Sequence, residues 1–245
     1  MDLGQIGIWM PHQFGTAATS EIESLGYGTL WLGSSPSVAD ARTFLEASDT
    51  LTIATGILNV WRHEPADVAA ADAEVRAAFP GRFLLGIGIG HPEATSDYTK
   101  PLKTMREFFD GLDAAPSPVP REERIAAALG PKMLDLARER SLGTHPYFTT
   151  PDHTRFARER LGTGPVVATE VAVVVEEDPV AARRIARDYA ALYLGLSNYT
   201  NNLLRFGFTE EDIADGGSDR LIDAVIAWGD EDAIARRIGE HREAG

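Results

Sequence analysis

The sequence has 245 residues, and its 23 Lys and Arg residues against 37 Asp and Glu residues give a formal net charge of −14. It contains no cysteine, which excludes disulfides, iron–sulfur clusters, cysteine–zinc sites and a thiol nucleophile. The acidic balance argues against nucleic-acid binding, because such binding depends on Lys and Arg side chains that neutralise phosphates. No apolar run approaches the roughly 18–20 residues that cross a bilayer, and the N-terminus lacks the features of a signal peptide. We therefore expect a cytoplasmic protein with no membrane partner.

Short apolar runs rich in β-branched residues alternate with longer helical patterns along the chain. The runs are residues 6–9, 29–32, 51–60, 83–89, 125–129, 144–148 and 166–175. Their starts lie roughly 20–40 residues apart, which is the spacing of βα units. Both faces of the runs are apolar, as in parallel strands covered by helices. The pattern predicts seven parallel strands.

The segments between these runs have the periodicity and the end signals of helices. Apolar residues recur at steps of three and four from Val68 to Ala78 and from Ile185 to Leu196, which places them on one stripe of a helix. Four prolines stand where a first helical turn is predicted, and there their missing N–H costs nothing. They are Pro65, Pro131, Pro151 and Pro179. Thr209 followed by Asp212 resembles a capping box at the start of a further helix.

Repeated βα units favour a closed (β/α)8 barrel or a doubly wound parallel sheet. The last helical pattern, from Ala233 to His241, is followed by Ala244 and Gly245. In a βα repeat, a glycine after a helix begins the turn into the next strand. We therefore expect that the sequence stops where an eighth strand would begin. We interpret residues 1–245 as one domain with a helical excursion near residues 198–217.

The densest chemical signal is the glycine cluster at the end of the fourth predicted strand, from Gly81 to His91. Glycines at this place let backbone approach a flat ligand or a phosphate closely; close packing of helix and strand is the alternative. The Rossmann fingerprint fails, because His91 occupies the place of its third glycine.

Three further signals follow other predicted strands. Residues 55–63 end in a polar and aromatic cluster that includes Arg62 and His63. At residues 128–133 a strand meets Gly-Pro, a helix start and Lys132, which favours either an anion site or an ordinary βα turn. Residues 143–151 carry hydroxyl groups just before a helix. In a parallel barrel the strand C-termini carry the site, so four signals there favour one functional site.

The histidine spacing does not favour a metal site. None of the six histidines forms an H-E-x-x-H motif or a tight ligand pair. We expect His241, at the far end of the last helix, to be solvated.

The motifs form an ordered set that is more specific than any one of them. The set comprises residues 6–9, 25–33, 54–62, 81–88, 128–133, 145–147 and 198–205. In this order, and over nearly the whole chain, it resembles the luciferase-like monooxygenase superfamily, in particular the coenzyme F-420-dependent oxidoreductase branch of actinobacteria.

The resemblance implies an α/β fold, a luciferase-like (β/α)8 TIM-type barrel, here lacking the eighth strand and final helix. It implies an isoalloxazine or deazaflavin ring over the strand C-termini and a non-proline cis peptide at Gly56-Ile57. Family members often carry Asp-His at the end of strand two, where this sequence has Ser34 and Ser35. The position after the strand-four glycines, often Glu in the family, is His91 here.

The resemblance also assigns roles to individual residues. His91 is the candidate catalytic acid or base, or alternatively only a hydrogen-bonding partner of the cofactor. No metal ligand is expected. The expected cofactor-binding residues are Ser34, Gly56, Ile57, Asn59, Gly88, Gly90, Gly130, Pro131, Lys132 and Thr149.

These assignments lead to three hypotheses about function. The first is an oxidoreductase that transfers a hydride between coenzyme F-420 and an unidentified organic substrate. The second is an FMN-dependent two-component monooxygenase that receives reduced flavin from a flavin or deazaflavin reductase. The third, favoured by the short chain and by the serines at positions 34 and 35, is a non-catalytic flavin-binding barrel. The expected partners are a small-molecule substrate and a second copy of the chain, because family members are commonly dimers.

Overall fold

The structure, a computed structural model, describes residues 1–96 and 98–245. Contacts divide the chain into two compact units. The first unit comprises Met1–Gly90, Thr99–Ala127 and Leu136–Gly143, and the second comprises His91–Tyr98, Ala128–Asp135 and Thr144–Gly245.

Parallel strands alternate with helices in the first part of the chain. The strands are β1 (Ile8–Pro11), β2 (Thr29–Gly33), β3 (Thr52–Thr55), β4 (Leu58–Asn59), β5 (Phe83–Gly88) and β6 (Arg124–Ala126). The helices are α1 (Thr19–Ser24), α2 (Val38–Glu46), α3 (Pro65–Ala78), α4 (Pro101–Ala114) and α5 (Pro131–Arg140). The strand order is β1-β2-β3-β5-β6, with β4 also paired to β5. Leu30 of β2 pairs with Ile8 on one side and with Ile53 on the other.

The core of the first unit follows from strands that are apolar on both faces. Leu30, Leu32, Ile53, Leu84 and Leu85 are fully buried. Because both faces of these strands are buried, consecutive residues of one strand can all be apolar. The α/β class and the alternation of strand and helix predicted from the sequence are therefore confirmed.

The second part of the chain is richer in helices. Its strands are β7 (Gly143–Thr144), β8 (Val166–Val167), β9 (Ala172–Val175) and β10 (Ile226–Gly229). Its helices are α6 (Pro151–Leu161), α7 (Pro179–Leu194), α8 (Ser197–Arg205), α9 (Glu210–Ile213), α10 (Asp219–Val225) and α11 (Glu231–Ala244). β9 and β10 form a parallel pair. Tyr199, Leu203, Leu221 and Ile222 lie in the core of the second unit.

Several predicted end signals are present in the structure. The four prolines begin α3, α5, α6 and α7. Thr209 and Asp212 form the reciprocal hydrogen bonds of a capping box at the start of α9.

The count of seven strands was too low. The run 51–60 is divided into β3 and β4, and the C-terminal part of the chain also differs from the prediction. The run 166–175 is divided into β8 and β9, and the run 144–148 yields only the two-residue β7. β10 was not predicted, because an apolar run of four residues cannot be assigned to strand or helix from periodicity alone.

Candidate functional site

A bulge interrupts the pairing of the first unit's strands where β3 passes into β4. Between the pairs Ala54–Leu84 and Leu58–Ile87, β5 advances three residues while the facing chain advances four. The extra residue lies at Gly56-Ile57, whose peptide bond is cis, as the sequence analysis predicted. A bulge of this kind redirects the backbone and is common beside functional sites.

Close backbone approach holds this bulge against β5. The Thr55 hydroxyl donates to the Gly86 carbonyl at 2.7 Å and accepts from the Gly86 N–H at 2.8 Å. A Cβ at Gly86 would overlap the Thr55 carbonyl. One at Gly88 would lie 2.8 Å from Ile57 Cγ1. Gly86 and Gly88 of β5 are therefore required by close packing against the bulge. The approach of a ligand to these glycines stays a prediction.

Two tryptophans that the sequence analysis did not assign to the site support the same region. The indole N–H of Trp9 donates to the Gly56 carbonyl at 3.3 Å, and that of Trp61 donates to the Ile89 carbonyl at 2.6 Å. A Cβ at Gly33 would overlap the Trp9 ring. Trp9 and Trp61 each follow or end a predicted strand, but only the three-dimensional structure gives their partners.

The other predicted site residues of the first unit fall into two groups. Gly90 has φ +64°, and a Cβ there would lie 2.9 Å from the Asn59 amide nitrogen, so Gly90 and Asn59 are neighbours. Ser34 follows β2 and has φ 64°, and Ser35 has φ 56°. Two consecutive serines in the left-handed region cost on the order of 1–3 kcal/mol each, and such strain is concentrated at functional sites.

In the second unit, the chain turns at Gly130 into α5, whose first residues are Pro131 and Lys132. A Cβ at Gly130 would meet only Arg205 Nη2, at 3.9 Å. In the described ranges, neither Lys132 nor Arg205 forms an ion pair with a carboxylate. Two cations beside the positive end of a helix favour an anion. The sequence analysis did not assign Arg205, which lies more than 70 positions along the chain from this turn.

Two buried polar atoms close to this part of the sequence lack partners. The Thr149 hydroxyl and His153 Nδ1 make no hydrogen bond, and both residues are buried. His153 Nε2 lies 3.0 Å from the Leu129 carbonyl, immediately before the turn. Burial lowers the pKa of His153 to about 4, so the ring is neutral at pH 7. Buried polar groups without partners cost free energy, and a bound ligand is one way to satisfy them.

His91 directly follows Gly90 and belongs to the second unit. Its Nδ1 lies 3.4 Å from the side-chain nitrogen of Asn198, and its ring centroid lies 4.8 Å from that of Tyr199. Burial lowers the pKa of His91, and the nearby Glu93 carboxylate opposes this shift. The ring is therefore predominantly neutral near pH 7.

A hydrogen-bonded group of tyrosines and a carboxyl lies beside Tyr199 in the second unit, with the Tyr193 ring centroid 5.6 Å from that of Tyr199. The Tyr147 hydroxyl lies 2.7 Å from that of Tyr189 and 2.8 Å from that of Tyr193. Glu170 accepts from the Tyr189 hydroxyl and from the Phe148 N–H, each at 3.4 Å. Desolvation raises the pKa of Glu170 to about 7. This cluster was not predicted from the sequence, because its members are dispersed over three segments of the chain.

The expectation for His241 was wrong. The residue is buried, and its Nδ1 lies 2.8 Å from the Thr154 hydroxyl. Since α11 turns this face inward, a position near the end of the last helix is not solvated. Among residues 1–96 and 98–245, no cluster of His, Asp and Glu suited to a metal ion is found.

A model of the luciferase-like monooxygenase family matches residues 13–245. The chain belongs to the luciferase-like monooxygenase family. This confirms the resemblance inferred from the ordered motifs. No curated protein sequence matches this luciferase-like chain.

Solved structures with similar folds include enzymes that use different cofactors. An F-420-dependent secondary alcohol dehydrogenase, in complex with an F-420–acetone adduct, has a TM-score of 0.76 and 16% identity, over 98% of this chain and 90% of that one. The F-420-dependent tetrahydromethanopterin reductase of Methanopyrus kandleri has a TM-score of 0.67 and 16% identity, with the same coverage of 98% and 90%. The oxygenating constituent of 3,6-diketocamphane monooxygenase of Pseudomonas putida, in complex with FMN, has a TM-score of 0.63 and 17% identity, over 95% and 83%.

These similarities establish the luciferase-like fold and agree with a luciferase-like oxidoreductase that uses a flavin or deazaflavin. Within the described ranges, no helix is both long and apolar enough to cross a membrane.

Proposed function

We propose that the protein is an oxidoreductase that transfers a hydride between coenzyme F-420 and an organic substrate. The observation that carries the proposal is the bulge at Gly56-Ile57, which packs against the side-chain-free Gly88 in a chain of the luciferase-like family. The similarity to F-420-dependent structures, with TM-scores of 0.76 and 0.67, supports the proposal of a deazaflavin. When bound, the coenzyme supplies the hydride chemistry, and protein groups orient it.

The first unit fits a flat ring. Gly88 packs closely against the Ile57 side chain, next to Gly56 in the bulge, and strand glycines of this kind are found where a ligand approaches the backbone closely. We assign these residues, with Asn59 and Gly90, to contacts with the ring. Ser34 is assigned to the same cofactor because of its strained position after β2.

In the second unit, the residues around the start of α5 are suited to bind an anionic group. Gly130 and Pro131 lie at the start of α5, Lys132 and Arg205 supply positive charge, and the Thr149 hydroxyl is buried without a partner. We assign these residues to the coenzyme's phosphate. The net charge of −14 makes local cations important, because a polyanionic coenzyme would otherwise be repelled.

His91 is the proposed catalytic residue. A histidine near neutral pH can exchange a proton with a substrate or donate a hydrogen bond to an oxygen atom. It lies at the start of the second unit's segment His91–Tyr98, next to Gly90 in the chain.

Two other functions have support. The similarity to an FMN complex supports a two-component monooxygenase, which would require a reductase partner to supply reduced flavin. The Ser34-Ser35 sequence, in place of the family's Asp-His, supports a non-catalytic flavin-binding barrel. For all three functions we propose a homodimer, as is common in the family.

Separate titrations with the two cofactors test the proposal. We expect oxidised coenzyme F-420 to bind with micromolar or lower Kd, measured by the change in its fluorescence, and FMN to bind at least tenfold more weakly. Lys132→Ala is expected to weaken F-420 binding, whereas Lys103→Ala, on the exposed side of α4, is a matched control.

Micromolar FMN binding without F-420 binding would exclude the proposal and favour the monooxygenase.

A further inference from the structure

The first turn of α8 contacts the segment that carries His91 at four points. The Ser197 N–H donates to Glu93 Oε1 at 2.9 Å. The side-chain nitrogen of Asn198 lies 3.4 Å from His91 Nδ1 and 3.4 Å from the Tyr98 hydroxyl. The Tyr199 ring packs against the His91 ring. The position of His91 is therefore determined by α8, although more than 100 residues separate the two in sequence.

Glu93 attaches this segment to α8 electrostatically. Leu196, the N-cap residue of α8, makes no side-chain capping bond, and the Glu93 carboxylate takes that role from another part of the chain. A carboxylate is stabilised by free N–H groups and by the dipole at a helix N-terminus. Its hydrogen bonds to Ser197 lower the pKa of Glu93, so it is ionised near pH 7.

Asn198 has two hydrogens on its side-chain nitrogen and two acceptors within reach of that nitrogen. A primary amide can donate both hydrogens at once, one to His91 Nδ1 and one to the Tyr98 oxygen. An imidazole nitrogen that accepts a hydrogen bond carries no proton, and the proton of the neutral ring is then on the other nitrogen. The arrangement therefore requires a neutral His91 with its hydrogen on Nε2.

We propose that Asn198 is a positioning residue that fixes His91 as the neutral Nε2–H tautomer, so that His91 donates a hydrogen bond and does not act as a base. A neutral imidazole of this kind polarises an oxygen atom on which negative charge develops. This narrows the substrate class to compounds with a carbonyl or hydroxyl oxygen at the reacting carbon. The role in catalysis rests on the proposed function, whereas the tautomer is a property of the protein alone.

The groups that face His91 are consistent with this role. Among the described residues, the titratable groups around the ring are Glu93, Tyr98 and Tyr199. Glu93 favours the protonated ring, but its carboxylate is engaged by Ser197. Tyr199 is buried, and desolvation raises the pKa of its hydroxyl. Desolvation also raises the pKa of the Tyr98 hydroxyl. Both tyrosines are therefore neutral near pH 7, and they add no charge that would stabilise an imidazolium.

Long-range ¹H–¹⁵N correlation spectra of protein labelled with ¹⁵N-histidine test the proposal without any cofactor. His91→Gln identifies the His91 signals among the six histidines. We expect the wild-type ring to show the Nε2–H tautomer at pH 7.5. The Nδ1–H tautomer in the wild-type protein would overturn the proposal, and this measurement requires no variant of Asn198.

Asn198→Asp replaces the donor with an acceptor. We expect it to move the hydrogen to Nδ1 and to shift the protonation equilibrium of His91 at least tenfold towards the imidazolium. Asn201→Asp makes the same charge change at an exposed position of the same helix and should leave the tautomer unchanged. If the protonation equilibrium of His91 shifts equally in both variants, the cause is the added negative charge alone. That result would contradict a positioning role for Asn198. Loss of F-420 binding alone would refute the proposed function but not the tautomer.

Discussion

Single residues in this structure are held in protonation states that differ from those in water. Glu170 is partly buried, and it accepts hydrogen bonds from Tyr189 and Phe148 at 3.4 Å. Its pKa is raised from 4.5 to about 7, chiefly by desolvation. Between pH 4.5 and pH 7 the folded protein holds the Glu170 proton more tightly than the unfolded chain does. The free energy of unfolding therefore decreases as the pH rises through this range.

Glu170→Gln should therefore stabilise the protein at alkaline pH. We expect a gain in the free energy of unfolding of about 2 kcal/mol at pH 8, because the full shift corresponds to about 3 kcal/mol and partial exposure reduces it. The gain should shrink as the pH is lowered towards 5. Urea unfolding at several pH values measures it, with the exposed Glu177→Gln as control. A variant that is no more stable than wild type at pH 8 would show that Glu170 ionises freely.

At the scale of elements, the bulge between β3 and β4 shapes the surface that we propose for the cofactor ring. Its geometry depends on Gly88, where a Cβ would lie 2.8 Å from Ile57 Cγ1 and 3.1 Å from the Ala127 Cβ. Such distances force the neighbouring side chain to move. A change at Gly88 therefore reshapes the surface proposed for the cofactor ring.

We expect Gly88→Ala to weaken coenzyme F-420 binding at least tenfold, or about 1.4 kcal/mol. Fluorescence titration measures the affinity, and circular dichroism confirms that the variant is folded. Gly239→Ala in α11 is the matched control, because a Cβ there meets nothing within 4 Å. If Gly88→Ala binds as tightly as the wild-type protein, the ring does not lie on this surface.

The sequence predicted local features of these elements well. The prolines of α3, α5, α6 and α7, the capping box of Thr209 and Asp212, and the cis peptide at Gly56 are all present. Each depends on neighbouring residues or on a motif of the family. The roles of Trp9, Arg205 and Glu170 could not be predicted, because their partners lie 19 to 75 positions away in the chain and only folding brings them together.

At the scale of the whole molecule, buried neutral histidines contribute to the response of stability to acid. Burial lowers the pKa values of His145, His153 and His241 from 6.5 to about 4. In the folded protein these rings resist protonation, whereas in the unfolded chain they take up protons below pH 6.5. Stability from a lowered base pKa is therefore present above pH 6.5 and is lost as the pH falls towards 4.

When the pH is lowered from 7 to 5, each of the three histidines should reduce the free energy of unfolding by about 2 kcal/mol. His241→Gln removes one of them and should make this loss about 2 kcal/mol smaller than in the wild-type protein. Urea unfolding at the two pH values measures the difference, and Arg155→Gln, at an exposed position of α6, is the control. The explanation fails if the loss of stability between pH 7 and pH 5 is the same in His241→Gln as in the wild-type protein.

A crystal structure with oxidised coenzyme F-420 would test the proposed cofactor site. We expect the deazaflavin ring against Gly56, Ile57 and Gly88, and the phosphate within hydrogen-bonding distance of the Gly130–Lys132 backbone or the Thr149 hydroxyl. A ring bound away from Gly56-Ile57, or no coenzyme density in crystals that bind FMN there under the same conditions, would contradict it.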